Sequence, residues 1–197
     1  MSRLPALGRK ITPLLNDRIT VDWDALVSRE GPAVWRAVRR LVGNNADAED
    51  VFQEVFVAAV EVSRREPVRQ WKGLLLRLAH ARGIDRLRAK YRRADWEADE
   101  SGEVAEANFE RVESPRPLPH EEVEAAELSA RLREALAQLP GKQSEVFCLF
   151  CLEGWTYQEI SERLDLSIDA VGVTIHRARA KLKTLLRPSI SDSRSPT

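Results

Sequence analysis

The chain has 197 residues, of which 43% are hydrophobic, 31% charged and 6% aromatic, with nine Gly, ten Pro and equal numbers (31 each) of basic and acidic residues. That length holds one domain or two small ones, and the Gly and Pro content excludes a fibrous or low-complexity chain. No apolar run approaches the ~18 residues of a membrane span, the start Met1-Ser2-Arg3-Leu4-Pro5 lacks a secretory apolar stretch, and two cysteines cannot form a disulfide scaffold, so a soluble cytoplasmic protein is expected.

Residues 1–20 carry no sustained period and are expected to form a loose arm of net charge +3. Helical signals begin at Trp23. Pro32 suits a first helical turn, where its missing N–H would be unpaired anyway, and Val34, Trp35, Val38, Leu41 and Val42 then recur at three- and four-residue spacing. Gly43-Asn44-Asn45 stops that helix, and Asp47 is expected to cap the next, over about 48–63. This helix sets Phe52, Val55, Phe56 and Ala59 on one stripe and Asp50, Gln53 and Glu54 on another. After Pro67 a long helix is predicted over 68–93, with Trp71, Leu74, Leu75 and Leu78 inward and nine basic residues on its outer faces. Segment 97–120 holds Ser-Gly, many Glu and three Pro, a composition that buries too little to order itself. Leu128, Leu132, Leu136 and Leu139 mark a helix ending at Pro140-Gly141, and another runs over 142–152. No hairpin dipeptide with alternating flanks occurs, so the fold class is all-α.

The balanced total hides a segregated charge. Residues 21–60 are net −3, residues 61–93 carry eleven Lys or Arg against three acids, residues 94–125 are net −9, and residues 166–187 carry five basic residues against Asp169. Two cationic blocks separated by an acidic stretch read as two binding surfaces on a spacer, or more plainly as two solvated helix faces.

The sharpest local signal lies in 156–187. Thr156 with Glu159 is a capping box; the short helix 157–164 ends at Asp165, expected in a left-handed conformation; Ser167 caps a longer basic helix. This is a helix-turn-helix, whose second helix would enter a major groove, or else a plain helical hairpin. Cys148 and Cys151 form Cys-x-x-Cys within a helix. Zinc would need further ligands, a redox pair belongs at a helix start, and buried thiols are the reading adopted. No phosphate loop, catalytic triad or paired catalytic carboxylates stands out, so no enzyme activity, metal or cofactor is expected.

These residues resemble a known family. Leu139-Pro140-Gly141-Lys142-Gln143-Ser144-Glu145-Val146-Phe147, Gly154 through Ile160, and Ile175-His176-Arg177-Ala178-Arg179-Ala180-Lys181-Leu182 are similar to the C-terminal DNA-binding domain of bacterial RNA polymerase sigma factors. Ala48 through Phe56 resembles the family's polymerase-binding helix, and Trp71 through Leu78-Ala79-His80 with Ile84-Asp85-Arg86-Leu87-Arg88 its promoter-melting region. Two domains joined by an acidic linker resemble the extracytoplasmic-function branch of the sigma-70 family. The resemblance implies a division into an arm (1–20), sigma region 2 (21–95), linker (96–122), sigma region 4 (123–187) and a disordered tail (188–197). It implies that Asp50, Gln53 and Glu54 dock on the clamp helices of the largest subunit of core RNA polymerase. Arg82, Arg86, Arg88, Arg92 and Arg93 would hold the backbone of the minus-ten element of promoter DNA. Thr174, His176, Arg177, Arg179 and Lys181 would serve the minus-thirty-five element, with Val173 against a thymine methyl. His80 is a weaker candidate, read as a surface residue. An anti-sigma protein is a further partner the family implies; a membrane is not. The sequence departs from the family pattern at Ala81, where relatives often carry Asn, and at Gly172-Val173-Thr174, where they often carry basic or small polar residues. The rival readings are a helix-turn-helix regulator and a helical adaptor or redox-sensing protein that does not initiate transcription.

Overall fold

The computed structural model describes residues 21–101 and 120–187; the arm, the middle of the linker and the tail lie outside the described residues. Seven helices account for the described secondary structure: α1 Trp23–Val42, α2 Asn45–Arg65, α3 Trp71–Ser101, α4 His120–Ala137, α5 Gly141–Cys151, α6 Tyr157–Leu164 and α7 Ile168–Leu185.

Pro32 does not open a helix but sits inside α1, which begins a full two turns earlier. Asp22 caps that earlier start by accepting from the Ala25 N–H at 2.9 Å, and burial of Leu26 beside Val34 outweighs the one missing donor. The cap of α2 is Asn44, not Asp47. Asn44 accepts from the Asp47 N–H at 2.8 Å and its amide donates back to the Asp47 carboxylate at 2.7 Å. Gly43 supplies the left-handed turn (φ 86°) between α1 and α2, which other residues adopt at a cost. The long helix starts at Trp71 rather than 68 and runs eight residues past Arg93.

The first three helices enclose one core. Leu26, Val34, Val38, Val51, Phe52, Val55, Leu75, Leu76 and Ala79 are buried in it, with Phe52 edge-on to Trp35 at 5.9 Å and tilted against Phe56 at 5.0 Å. On α3 the inward stripe is therefore Leu75, Leu76 and Ala79; Trp71 and Leu78 are half-buried against it, and Leu74 stands beside the 66–70 loop. A smaller core of Val146, Leu149, Ile160, Val171 and Ile175 joins α5, α6 and α7.

A third core belongs to neither half. Leu41 of α1 and Ile84 and Leu87 of α3 are buried together with Leu136, Leu139, Cys148, Ala178 and Leu182 of the second half. Polar bonds rim it. Arg88 donates to the carbonyls of Ala137 (3.2 Å) and Leu139 (2.7 Å) and to the Ser144 hydroxyl (3.3 Å). Arg40 donates to the Leu152 carbonyl at 2.9 Å, and Arg77 to the Arg163 carbonyl at 3.3 Å. On α3, Gly83 lets α1 come close: a Cβ there would lie 2.8 Å from Leu41, whereas one at Gly73 would only displace the end of the Arg163 side chain.

Candidate nucleic-acid interface

α6 and α7 have the local chemistry of a helix-turn-helix. Thr156 accepts from the Glu159 N–H at 3.2 Å while the Glu159 carboxylate accepts from the Thr156 N–H at 2.8 Å, closing the capping box. Those bonds hold the exposed Glu159 carboxyl below its ordinary value, the backbone bond from Thr156 contributing most. Asp165 takes the left-handed conformation, φ 51°, and Ser167 caps α7 by accepting from the Ala170 N–H at 3.1 Å. Val171, Ile175, Ala178 and Leu182 bury one side of α7, so Asp169, Val173 and His176 lie on the opposite side, all exposed.

The five residues expected at the minus-thirty-five element divide on this geometry. His176, Arg177 and Lys181 are exposed and have no ion pair among the described residues. Thr174 is turned to its own helix and donates to the Ala170 carbonyl at 2.6 Å. Arg179 lies over the Phe150 ring, 5.3 Å from its centroid. Gly172 leaves a gap beside Tyr157, whose ring would stand 3.5 Å from an added Cβ.

The cations of α3 also divide. Arg82, Arg92 and Arg93 are exposed and unpaired among the described residues. Arg86 reaches back to α2, within 3.1 Å of Asp47, 3.6 Å of Asp50 and 3.3 Å of Glu54. Arg88 is engaged by α4 and α5 as described above. The polar face of α2 is intact: Asp50, Gln53 and Glu54 are exposed and, with Val57 at 58% exposure, Arg82 and Arg86, line a shallow groove.

His80 is not a surface residue. It is fully buried, and its Nε2–H donates to the Glu153 carboxylate at 3.2 Å while Nδ1 has no partner. Arg40 stands 3.7 Å from the same carboxylate. Burial by itself would raise the Glu153 carboxyl, but the His80 bond and the charges of His80, Arg40 and Arg36 outweigh it and hold the group below its ordinary value. Sequence periodicity could not find this pairing, because the partners are 73 residues apart and Glu153 lies in a turn. Of the two thiols Cys148 is buried and Cys151 exposed. Burial, then the neighbouring Cys151, pushes the Cys148 thiol up to about 12, so it stays protonated and inert at neutral pH.

A family model described as sigma-70 region 2 matches residues 26–93, and one described as sigma-70 region 4 matches residues 129–182. The RNA polymerase sigma factor CnrH of Cupriavidus metallidurans is 32% identical over 167 residues, covering 82% of this chain and 84% of the relative. The ECF RNA polymerase sigma factor SigE of Mycolicibacterium smegmatis is 29% identical over 171 residues, covering 87% of this chain but only 64% of that longer protein. Among solved structures, CnrH in complex with the cytosolic domain of CnrY superposes with a TM-score of 0.50 at 28% identity, covering 83% of this chain and 86% of that one. With regions 2 and 4 matched in order and CnrH 32% identical over most of the chain, the chain belongs to the sigma-70 family of RNA polymerase sigma factors, in its extracytoplasmic-function branch.

Proposed function

We propose that this protein binds core RNA polymerase and directs it to promoters, where it recognises two DNA elements and helps to open the duplex. The observation that supports this most is the order of surfaces on one chain: an exposed acidic-polar face on α2, a cationic α3 and a capped helix-turn-helix with a cationic α7. A regulator that uses the helix-turn-helix alone leaves the first two without a task. The chemistry of RNA synthesis belongs to the polymerase, and the protein itself supplies binding and DNA distortion.

In this reading residues 21–95 act as region 2 and 123–187 as region 4, joined through 96–122. Asp50, Gln53 and Glu54 meet the clamp helices of the largest subunit. Arg82, Arg92 and Arg93 hold phosphates of the minus-ten element, where cations position the protein without reading sequence. His176 and Arg177 approach base edges of the minus-thirty-five element, and Lys181 its backbone. A protein regulator is a third partner, by analogy with CnrH bound to CnrY.

The two elements lie about 25 base pairs apart, about 85 Å along B-form DNA at about 3.4 Å per pair. Helices that share a core through Leu41, Ile84, Leu136 and Leu182 cannot reach both. Promoter engagement therefore separates the halves, freeing Arg88, while docking of α2 on the polymerase competes for the carboxylates that hold Arg86.

Transcription in vitro with purified core polymerase tests the reading. Promoter-dependent runoff that requires this chain is expected; binding to core without initiation would favour the adaptor, and DNA binding without core affinity the simple regulator.

A further inference from the structure

In its first turns the outward side of α7 carries no cation; Arg177 follows one turn beyond Val173. Opposite the buried Val171, Ile175, Ala178 and Leu182, the residues in the first turns are Asp169 and Val173, one turn apart, followed by His176. Val173 is 49% exposed. Asp169 is exposed and has no hydrogen bond or ion pair among the described residues; the cap of α7 is made by Ser167 instead. We propose that Asp169 is a base-reading residue of α7 that selects cytosine through its N4 amino group. The inference rests on α7 occupying the major groove, as proposed above.

The selection follows from charge and from the edges that bases present. In a helix-turn-helix the N-terminal residues of the second helix meet base edges, and Asp169 is the second residue of α7. A carboxylate brought into the groove is repelled by the flanking phosphates and by every acceptor on a base edge. Guanine offers N7 and O6, thymine O4, and adenine sets the N7 acceptor beside its N6 donor; cytosine alone presents a donor and no acceptor of its own. Asp169 therefore penalises three bases and rewards one. It discriminates mainly by rejection, which is how a short acidic side chain can specify sequence while adding little to affinity. Val173, one turn further on, faces the adjacent step, where a thymine methyl suits its exposed apolar surface. A favourable first-turn acid also stabilises a helix through its dipole, and that role predicts no base preference.

The test uses the full chain with core polymerase on a promoter library randomised across the upstream element, reading the bound fraction by sequencing. Cytosine is expected at one position with a preference on the order of tenfold. Asp169→Ala should flatten that position alone, with binding to the other three bases unchanged or tighter. Asp169→Asn should move the preference to adenine, because an amide can donate to N7 while accepting from N6. A uniform loss of binding in Asp169→Ala with a lower melting temperature would assign the residue to helix stability and overturn the proposal, as would an unchanged cytosine preference. Failure of the underlying reading looks different: the wild-type chain would then show no preference anywhere in the upstream element, and Arg177→Ala would not weaken binding.

Discussion

Cys148 and Cys151 lie one turn apart in α5, yet their surroundings separate their chemistry. Only the thiolate is nucleophilic, and the raised value at Cys148 removes it at neutral pH. A disulfide-exchange reagent should titrate one thiol rapidly in the folded chain and the second only on unfolding; two fast thiols would revive a redox role. The His80–Glu153 bond carries a pH signature. The folded carboxyl of Glu153 is depressed, so its contribution is complete above about pH 4.5 and is lost as pH falls through the lower folded value. Glu153→Gln keeps an acceptor for His80 but loses the charge, so it should cost about 1 kcal/mol at pH 7 and reduce the acid-side fall in stability. Thermal unfolding of both proteins between pH 3 and 7 measures this.

At the scale of elements, local chemistry explains where helices begin and what they leave outward. The capping box, Ser167 and the left-handed Asp165 are short-range devices, so the boundaries of α6 and α7 follow from neighbours in sequence. α1 does not obey its local signal in the same way, because burial of Leu26 overrides Pro32. Gly172 is a weak point in α7. Its Cβ space is open to ordinary contact with Tyr157, so Gly172→Ala should stabilise the chain by about 1 kcal/mol, seen as a raised urea midpoint. On α2 the polar face has little structural duty: the Asp50 and Glu54 side chains are 63% and 48% exposed, and surface pairs with Arg86 contribute at most about 1 kcal/mol. Reversing both to Lys should weaken binding to core polymerase at least tenfold by titration while leaving the circular dichroism spectrum unchanged; unaltered affinity would place the docking surface elsewhere.

For the whole molecule, the shared core makes the described arrangement a closed one, rimmed by Arg88, Arg40, Arg77 and the His80–Glu153 pair. Fluorophores on exposed positions of α2 and α7 should report high transfer efficiency in the free chain. That efficiency should fall sharply when core polymerase and promoter are added together; an unchanged value would mean that one half never reaches its DNA element. The all-α class, both cationic helices, the helix-turn-helix and the polar face of α2 were legible in the sequence. Each rests on a period of three to four residues or on a cap within one turn. The fate of individual cations was not legible: Arg82 and Arg88 sit in the same basic run, yet one is open to solvent and the other is spent on the carbonyls of Ala137 and Leu139. By itself the amino-acid order determined which faces are apolar or charged, because helical periodicity is a local property. Only the tertiary structure decided that Leu41, Ile84 and Leu182 would share one interior and that His80 would be buried against Glu153, because pairing between distant apolar faces depends on shape and on the small residues, such as Gly83, that allow helices to meet.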